Sequence, residues 1–174
     1  VGEIVAQGDN IMLGYWKNEE ETARTLRPEG LRTGDLARMD DEGYIYIVAR
    51  ESDMIKSGAH RIGPKEIEDV VERLAEVAQC AVVGVPDDLL GEALAAFVVP
   101  VQGAELAPRQ VMQVCFEHLP RFKMPHHVRI VDQLPRTQTG KLRRNELKEW
   151  FAAGTGVVTS PPDPGPTNPP PTTP

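Results

Sequence analysis

Beyond Arg50 the sequence alternates short β-type runs with amphipathic helical ones, and this order restricts the fold more than any other feature. MIKS and HRI flank Gly58, a pattern that suits a tight loop. Pro64 then opens a helix, PKEIEDVVERL, whose Ile67, Val70, Val71 and Leu74 recur at helical spacing and form its apolar stripe. Two β-rich runs follow, CAVVGV and ALAAFVVPV, separated by PDDLLGE. The pattern predicts a second helix over about 108–118, a strand over HVRIVD, and a last helix from about Arg143 to Phe151. The order β-α-β-β-α-β-α over 51–151 predicts an α+β fold: a small mixed sheet with helices packed on it.

The flanks read differently. GEIVAQG (2–8) predicts a strand, Asn18 caps a short acidic helix running to about Leu26, and residues 35–49 predict a hairpin turning at Asp40-Asp41-Glu42-Gly43. Residues 1–50 show no obvious core of their own. They are expected to be the trailing, β-rich edge of a larger domain, and a start at Val1 inside strand-like sequence is expected of a fragment. At the other end, 8 of the 16 prolines fall within 161–174, and everything from Gly154 is rich in Gly, Thr and Pro. That stretch is expected to be an extended, mobile linker or tail outside the fold.

Composition narrows the function classes. No apolar run approaches the roughly 20 residues needed to span a bilayer, and no secretory signal opens the chain, so no integral membrane segment is expected and the location is read as cytoplasmic. The net charge of −7 argues against non-specific nucleic-acid binding. Residues 121–148 invert it: Arg121, Lys123, Arg129, Arg136, Lys141, Arg143, Arg144 and Lys148 stand against Asp132 and Glu146. This local excess fits either a small anionic ligand or a solvated basic helix face. Cys80 and Cys115 lie in apolar surroundings without metal-ligand spacing, so buried free thiols are expected rather than a zinc site or a disulfide.

PRTQTGKLRR (135–144) is the strongest local motif. It is not a phosphate-binding P-loop, because Pro135 stands where the first glycine is required and Leu142 where Ser or Thr is required. What remains is Lys141 on a Gly-containing turn just before a helix, flanked by Thr137 and Thr139. A lysine so placed offers a point charge to a phosphate or carboxylate; it also reads as an ordinary surface lysine. Asp35 follows a glycine at a strand start, where a carboxylate can accept from vicinal hydroxyls or simply cap a turn. Arg50 ends the hairpin, as ligand contact or ion-pair partner. Gly58 allows close approach of a narrow ligand or serves a plain turn. Gly14-Tyr15-Trp16 reads as aromatic packing.

Taken in order, these segments resemble the adenylate-forming superfamily of acyl-CoA synthetases, luciferases and nonribosomal peptide synthetase adenylation domains. The resemblance rests on GEI…GYW…E-x-T (2–22), RTGDLA (32–37), R-x-x-D-M-I-K-S-G-x-x-R-I-x-P-x-E-I-E (50–68), VVGVPD…GE…AFVV (82–99) and F-K-M-P…LPRTQTGKLRR (122–144), and covers residues 2 to about 151. The flanking pattern is most similar to fatty acyl and related carboxylate–CoA ligases. Such enzymes use ATP to turn a carboxylate into an acyl-adenylate, then pass the acyl group to CoA or another thiol.

The resemblance implies a role for each matching residue. Lys141 is implied to contact the α-phosphate and carboxylate oxygens during adenylation, Asp35 to bind both ribose hydroxyls, and Arg50 to touch the ribose as well. Ser52 falls at the hinge, and Ser57, Gly58, Ala59, His60 and Arg61 match the segment lining the pantetheine tunnel after the small domain rotates. The implied organisation is 1–49 as the edge of the large adenylation domain, 50–53 as hinge, 54–151 as small lid domain and 152–174 as disordered Pro-rich tail or linker. ATP, CoA and Mg2+ are the implied cofactors, with the Mg2+ site, the phosphate loop and the acyl pocket upstream in the family; alone, the chain is expected to be inactive. Three residues depart from the pattern: Ala49 for Gly, Ser52 for Asp or Lys, and Ala59 for the second Gly of a pair, the last bearing on the thioester step. Two alternatives stay open, namely a lid loading the acyl group onto a carrier protein's phosphopantetheine, and a catalytically silent binding module.

Overall fold

The computed structural model describes residues 1–154 and the backbone of 157–159. It consists of two sheets in series. The first is four-stranded: β1 (Gly2–Ala6), β2 (Leu26–Arg27) and β4 (Ile45–Arg50) all pair antiparallel with the long β3 (Gly30–Met39). Before β2 lies helix α1 (Glu19–Thr25), where the Asn18 side chain accepts from the Glu21 amide at 3.0 Å, as its sequence position predicts. A 3-10 turn, Glu51–Asp53, leads out of this sheet.

The second unit holds the predicted order. β5 (Ile55–Ser57) and β6 (His60–Ile62) form a hairpin, followed by α2 (Pro64–Val71), β7 (Val77–Asp87), β8 (Gly91–Pro100), α3 (Pro108–His118), β9 (His127–Ile130) and α4 (Arg144–Ala152). Its sheet is mixed, since β8 runs antiparallel to β7 and parallel to β9. The α+β class read from the sequence is therefore the one found. Helix α2 stops at Val71, short of the predicted Leu74, because the Arg73 and Leu74 amides bond three residues back, to Val70 and Val71, and tighten its end.

β7 and β8 are apolar on both sides, and helices cover both. Cys80, Val82, Leu94, Ala96 and Val98 join Ile67, Val70 and Val71 of α2 and Val111, Val114 and Cys115 of α3 in one core. The alternate residues Ala81, Val83, Val85, Ala95 and Phe97 pack with Leu147 of α4 in a second. Both cysteines are buried free thiols in the first core, and burial pushes the Cys115 thiol up to about 11.

The expectation of an unstructured stretch from 152 is corrected at two points. Ala152 closes α4, and the backbone of Val157–Thr159 forms β10, antiparallel to β9. The run Val-Val-Thr supplies three β-branched residues, which suit a strand despite the Gly and Pro around them. Residues 155–156 and 160–174, the rest of the predicted tail, lie outside the described residues.

Candidate functional site

Asp35 and Arg50 face each other across the β3–β4 ladder, and the Arg50 Nε donates to Asp35 Oδ1 at 2.7 Å. The carboxylate is 21% exposed and the guanidinium side chain 61%, so the pair opens outward. The hydrogen bond and charge of Asp35 raise the already very basic Arg50 further. Thr33 braces the strand here, its Oγ1 accepting from the Asp35 amide at 3.1 Å. The ion-pair reading of Arg50 is the one seen, and its partner Asp35 is the other residue expected at the ribose.

Lys141 sits on a closed loop between β9 and α4. The Thr137 amide donates to the Lys141 carbonyl at 2.8 Å, the Lys141 amide to Thr137 Oγ1 at 3.1 Å, and the Gly140 amide to the Thr137 carbonyl at 2.9 Å. Arg136 fixes the loop from outside, donating to the Gly140 carbonyl at 2.8 Å and to Gln79 Oε1 at 3.0 Å. The lysine backbone is therefore held while its side chain is exposed, and among the described residues no acceptor holds its ammonium.

One cleft of about 940 Å3 brings Arg50, Ser52 and Lys141 together, with Thr137, Arg143 and Arg144 on its walls. Ser57–Arg61 forms the tip of the β5–β6 hairpin and does not line that cleft; Arg61 lines an adjoining one of about 440 Å3 with Lys56 and Lys148, and Ser52, Asp53 and Arg144 line both. At that tip Gly58 takes φ +56°, and its amide donates to the Leu90 carbonyl at 2.8 Å. Ala59 stays out of the left-handed region, so its methyl brings no backbone strain to the turn. Ser57 is buried, while His60 is exposed and stacks on Phe122 with ring centroids 4.2 Å apart.

Ser52 lies within the 3-10 turn between the units, its hydroxyl donating to Asp53 Oδ1 at 3.0 Å. Ala49 is buried where β4 meets the second unit, against Gly63. A side-chain carbon placed on Gly63 would come within 3.2 Å of the Ala49 methyl, so the alanine fits because residue 63 has no side chain.

Sequence reasoning missed a network one turn from Lys141. Arg144 donates to Glu68 Oε1 and to the Val82 carbonyl, both at 2.8 Å, and pairs with Asp53 Oδ2 at 3.2 Å. Glu68 also accepts from the Val82 amide at 2.9 Å and is buried, 6% exposed. The available signal was an acid next to Ile67, on the apolar side of α2, which must find a cation when the helix packs.

Comparison with known proteins finds relatives of the chain. Residues 66–141 match the family of the AMP-binding enzyme C-terminal domain. The chain is 46% identical over 149 residues to a 3-[(3aS,4S,7aS)-7a-methyl-1,5-dioxo-octahydro-1H-inden-4-yl]propanoyl:CoA ligase of Rhodococcus jostii, covering 85% of this chain and 29% of that protein. It is 39% identical over 152 residues to a long-chain-fatty-acid–CoA ligase of Mycobacterium tuberculosis, covering 87% of this chain and 30% of that one. ATP-bound MatB from Rhodopseudomonas palustris superposes with a TM-score of 0.81 at 38% identity, over 86% of this chain and 30% of that chain. Apo MatB, at the same identity and coverage, gives 0.64. The chain thus spans about 30% of the length of the relatives it matches. Residues 66–141 thus belong to the family of the AMP-binding enzyme C-terminal domain, and the chain is similar over most of its length to about 30% of the length of such acid–CoA ligases.

Proposed function

We propose that the chain is the lid and ribose edge of an ATP-dependent carboxylate–CoA ligase whose remaining site walls lie in a preceding domain. The observation that carries this reading is the cleft lined by both Arg50, which is paired with Asp35, and the held Lys141, whose ammonium has no acceptor among the described residues. The relatives named above are acid–CoA ligases, and agreement with MatB is better for the ATP-bound form than for the apo form.

In this reading Asp35 and Arg50 hold the ribose of ATP. Lys141 stands over the α-phosphate as the substrate carboxylate attacks it and pyrophosphate leaves. Its fixed positive charge lies where negative charge develops, so it stabilises the transition state more than the bound substrates. The Mg2+ that accompanies ATP is assigned to the preceding domain. Turning of 54–151 about 50–53 then withdraws Lys141 and presents Ser57–Arg61 to CoA, whose thiol attacks the acyl-adenylate and displaces AMP. We place the enzyme in the cytoplasm; the two buried thiols suit a reducing compartment, and among the described residues no helix is long and apolar enough to cross a membrane.

The half-reactions test this directly in the full-length enzyme. Lys141→Ala is expected to slow adenylation by about 10²–10³-fold, as loss of one preorganised charge does. Thioester formation from preformed acyl-adenylate is expected to stay within a few-fold of wild type. Equal losses in both would overturn the alternation of Lys141 and the Ser57–Arg61 hairpin.

A further inference from the structure

Arg50 and Asp53 stand at the two ends of the turn that joins the units, and each is fastened to a different one. Arg50 is tied back into the first sheet by its strand pairing with Asp35 and by the 2.7 Å ion pair. Asp53 is tied forward through Arg144, which reaches α2 at Glu68 and β7 at the Val82 carbonyl. Glu68 closes the network by accepting from the Val82 amide, so α2, β7 and the start of α4 converge on one guanidinium. Only Glu51 and Ser52 lie between the two fastened residues. The Met54 amide closes this 3-10 turn on the Glu51 carbonyl with a long bond of 3.4 Å. The Ser52 hydroxyl bonds Asp53 next to it and so adds no tie to either sheet.

We infer that Asp53 and Arg144 are positioning residues that confine turning of the lid to Glu51–Ser52 and make the exit of that joint one rigid piece with the Lys141 loop. Arg144 follows Lys141 by three residues, and the Arg143 amide donates to the Pro135 carbonyl at 2.9 Å, closing the loop at the helix start. A two-residue joint gives the lysine a defined arc. A joint lengthened through Met54 would let the same loop arrive along many paths, and near-attack geometry tolerates little misplacement. The inference rests on reading the two units as moving parts, as proposed above.

Backbone 15N relaxation on the 174-residue chain tests it. In the wild type, Glu51 and Ser52 are expected to be mobile while Asp53 and Met54 are as ordered as α2. Asp53→Ala keeps the Arg144–Glu68 pair; it should lower the order parameters at 53 and 54 from about 0.85 to below about 0.6 and leave those of Ile67 and Val82 unchanged. Asp53→Glu should restore them. Arg144→Lys, which keeps the charge but loses the fork, should loosen 53 and 54 in the same way. Unchanged order at 53 and 54 in Asp53→Ala, or a wild-type Glu51–Ser52 as rigid as α2, would overturn the inference. Lys141→Ala should leave all these amides untouched, so failure of the adenylation reading and failure of this joint show up in different experiments.

Discussion

In the first unit, residues 1–50, only Ala37 and Ala49 are buried among the apolar residues, while Leu13 and Trp16 in the loop after β1 are 99% and 89% exposed and Met39, Tyr44, Ile45 and Ile47 are exposed as well. The second sheet buries Val82, Leu94, Phe97 and Val98 completely, with helices on both faces. The hydrogen-bonded ladders are comparable; the apolar packing is not. The first unit is held by its backbone pairing and by surface pairs such as Arg32 with Glu3, which contribute little in water. The second has the means to fold by itself, and the first does not. The lid movement proposed above would need such an asymmetry, since a part that turns must keep its shape when it leaves its partner.

Separating the units puts the most strain on that comparison. Residues 54–159 alone are expected to melt cooperatively by circular dichroism, and residues 1–50 alone to show no transition; a cooperative 1–50 would break the contrast. Next in size come paired truncations in the intact chain. Phe97→Ala should cost about 3–5 kcal/mol in urea unfolding, as loss of a buried aromatic does, while Ile47→Ala should stay within about 0.5 kcal/mol. Similar costs would mean that the strand carrying Ile47 is covered in solution.

The smallest effect is confined to the second unit and depends on pH. His126 Nδ1 accepts from the Leu94 amide at 3.1 Å, and burial, opposed by Asp87, holds the imidazole below its usual range. His127 is held down as well, by burial first and then by its charged neighbours. In the unfolded chain both protonate near the usual 6.5. Their contribution is therefore present above that value and is lost as pH falls through the depressed folded values. Melting temperature should drop between pH 7.5 and 5.5, and His126→Gln should flatten part of the drop. A first unit that lost as much over this range would blur the contrast, since it contains no histidine.

Local signals in the sequence were strong enough to give the order of elements, the Asn18 cap and the tight loop at Gly58, because each depends on residues a few positions apart. The Lys141 loop was legible for the same reason: Thr137, Gly140 and Lys141 close it among themselves. The clasp was not, because Asp53, Glu68 and Arg144 come from three elements, and an ion pair 76 residues apart in sequence leaves no periodicity. The strand at 157–159 was hidden by composition, three β-branched residues being outweighed by the Gly- and Pro-rich sequence around them.

The contact between Ala49 and Gly63 also has a bearing on how such a chain can drift. Two positions share room for one methyl group, since a carbon on residue 63 would sit 3.2 Å from that of Ala49. With Ala49 in place, a methyl on residue 63 would have to displace it by a few tenths of an ångström; with glycine at 49 it would meet only ordinary contacts at 3.7 Å. The boundary between the sheets thus couples what can stand at 49 to what can stand at 63.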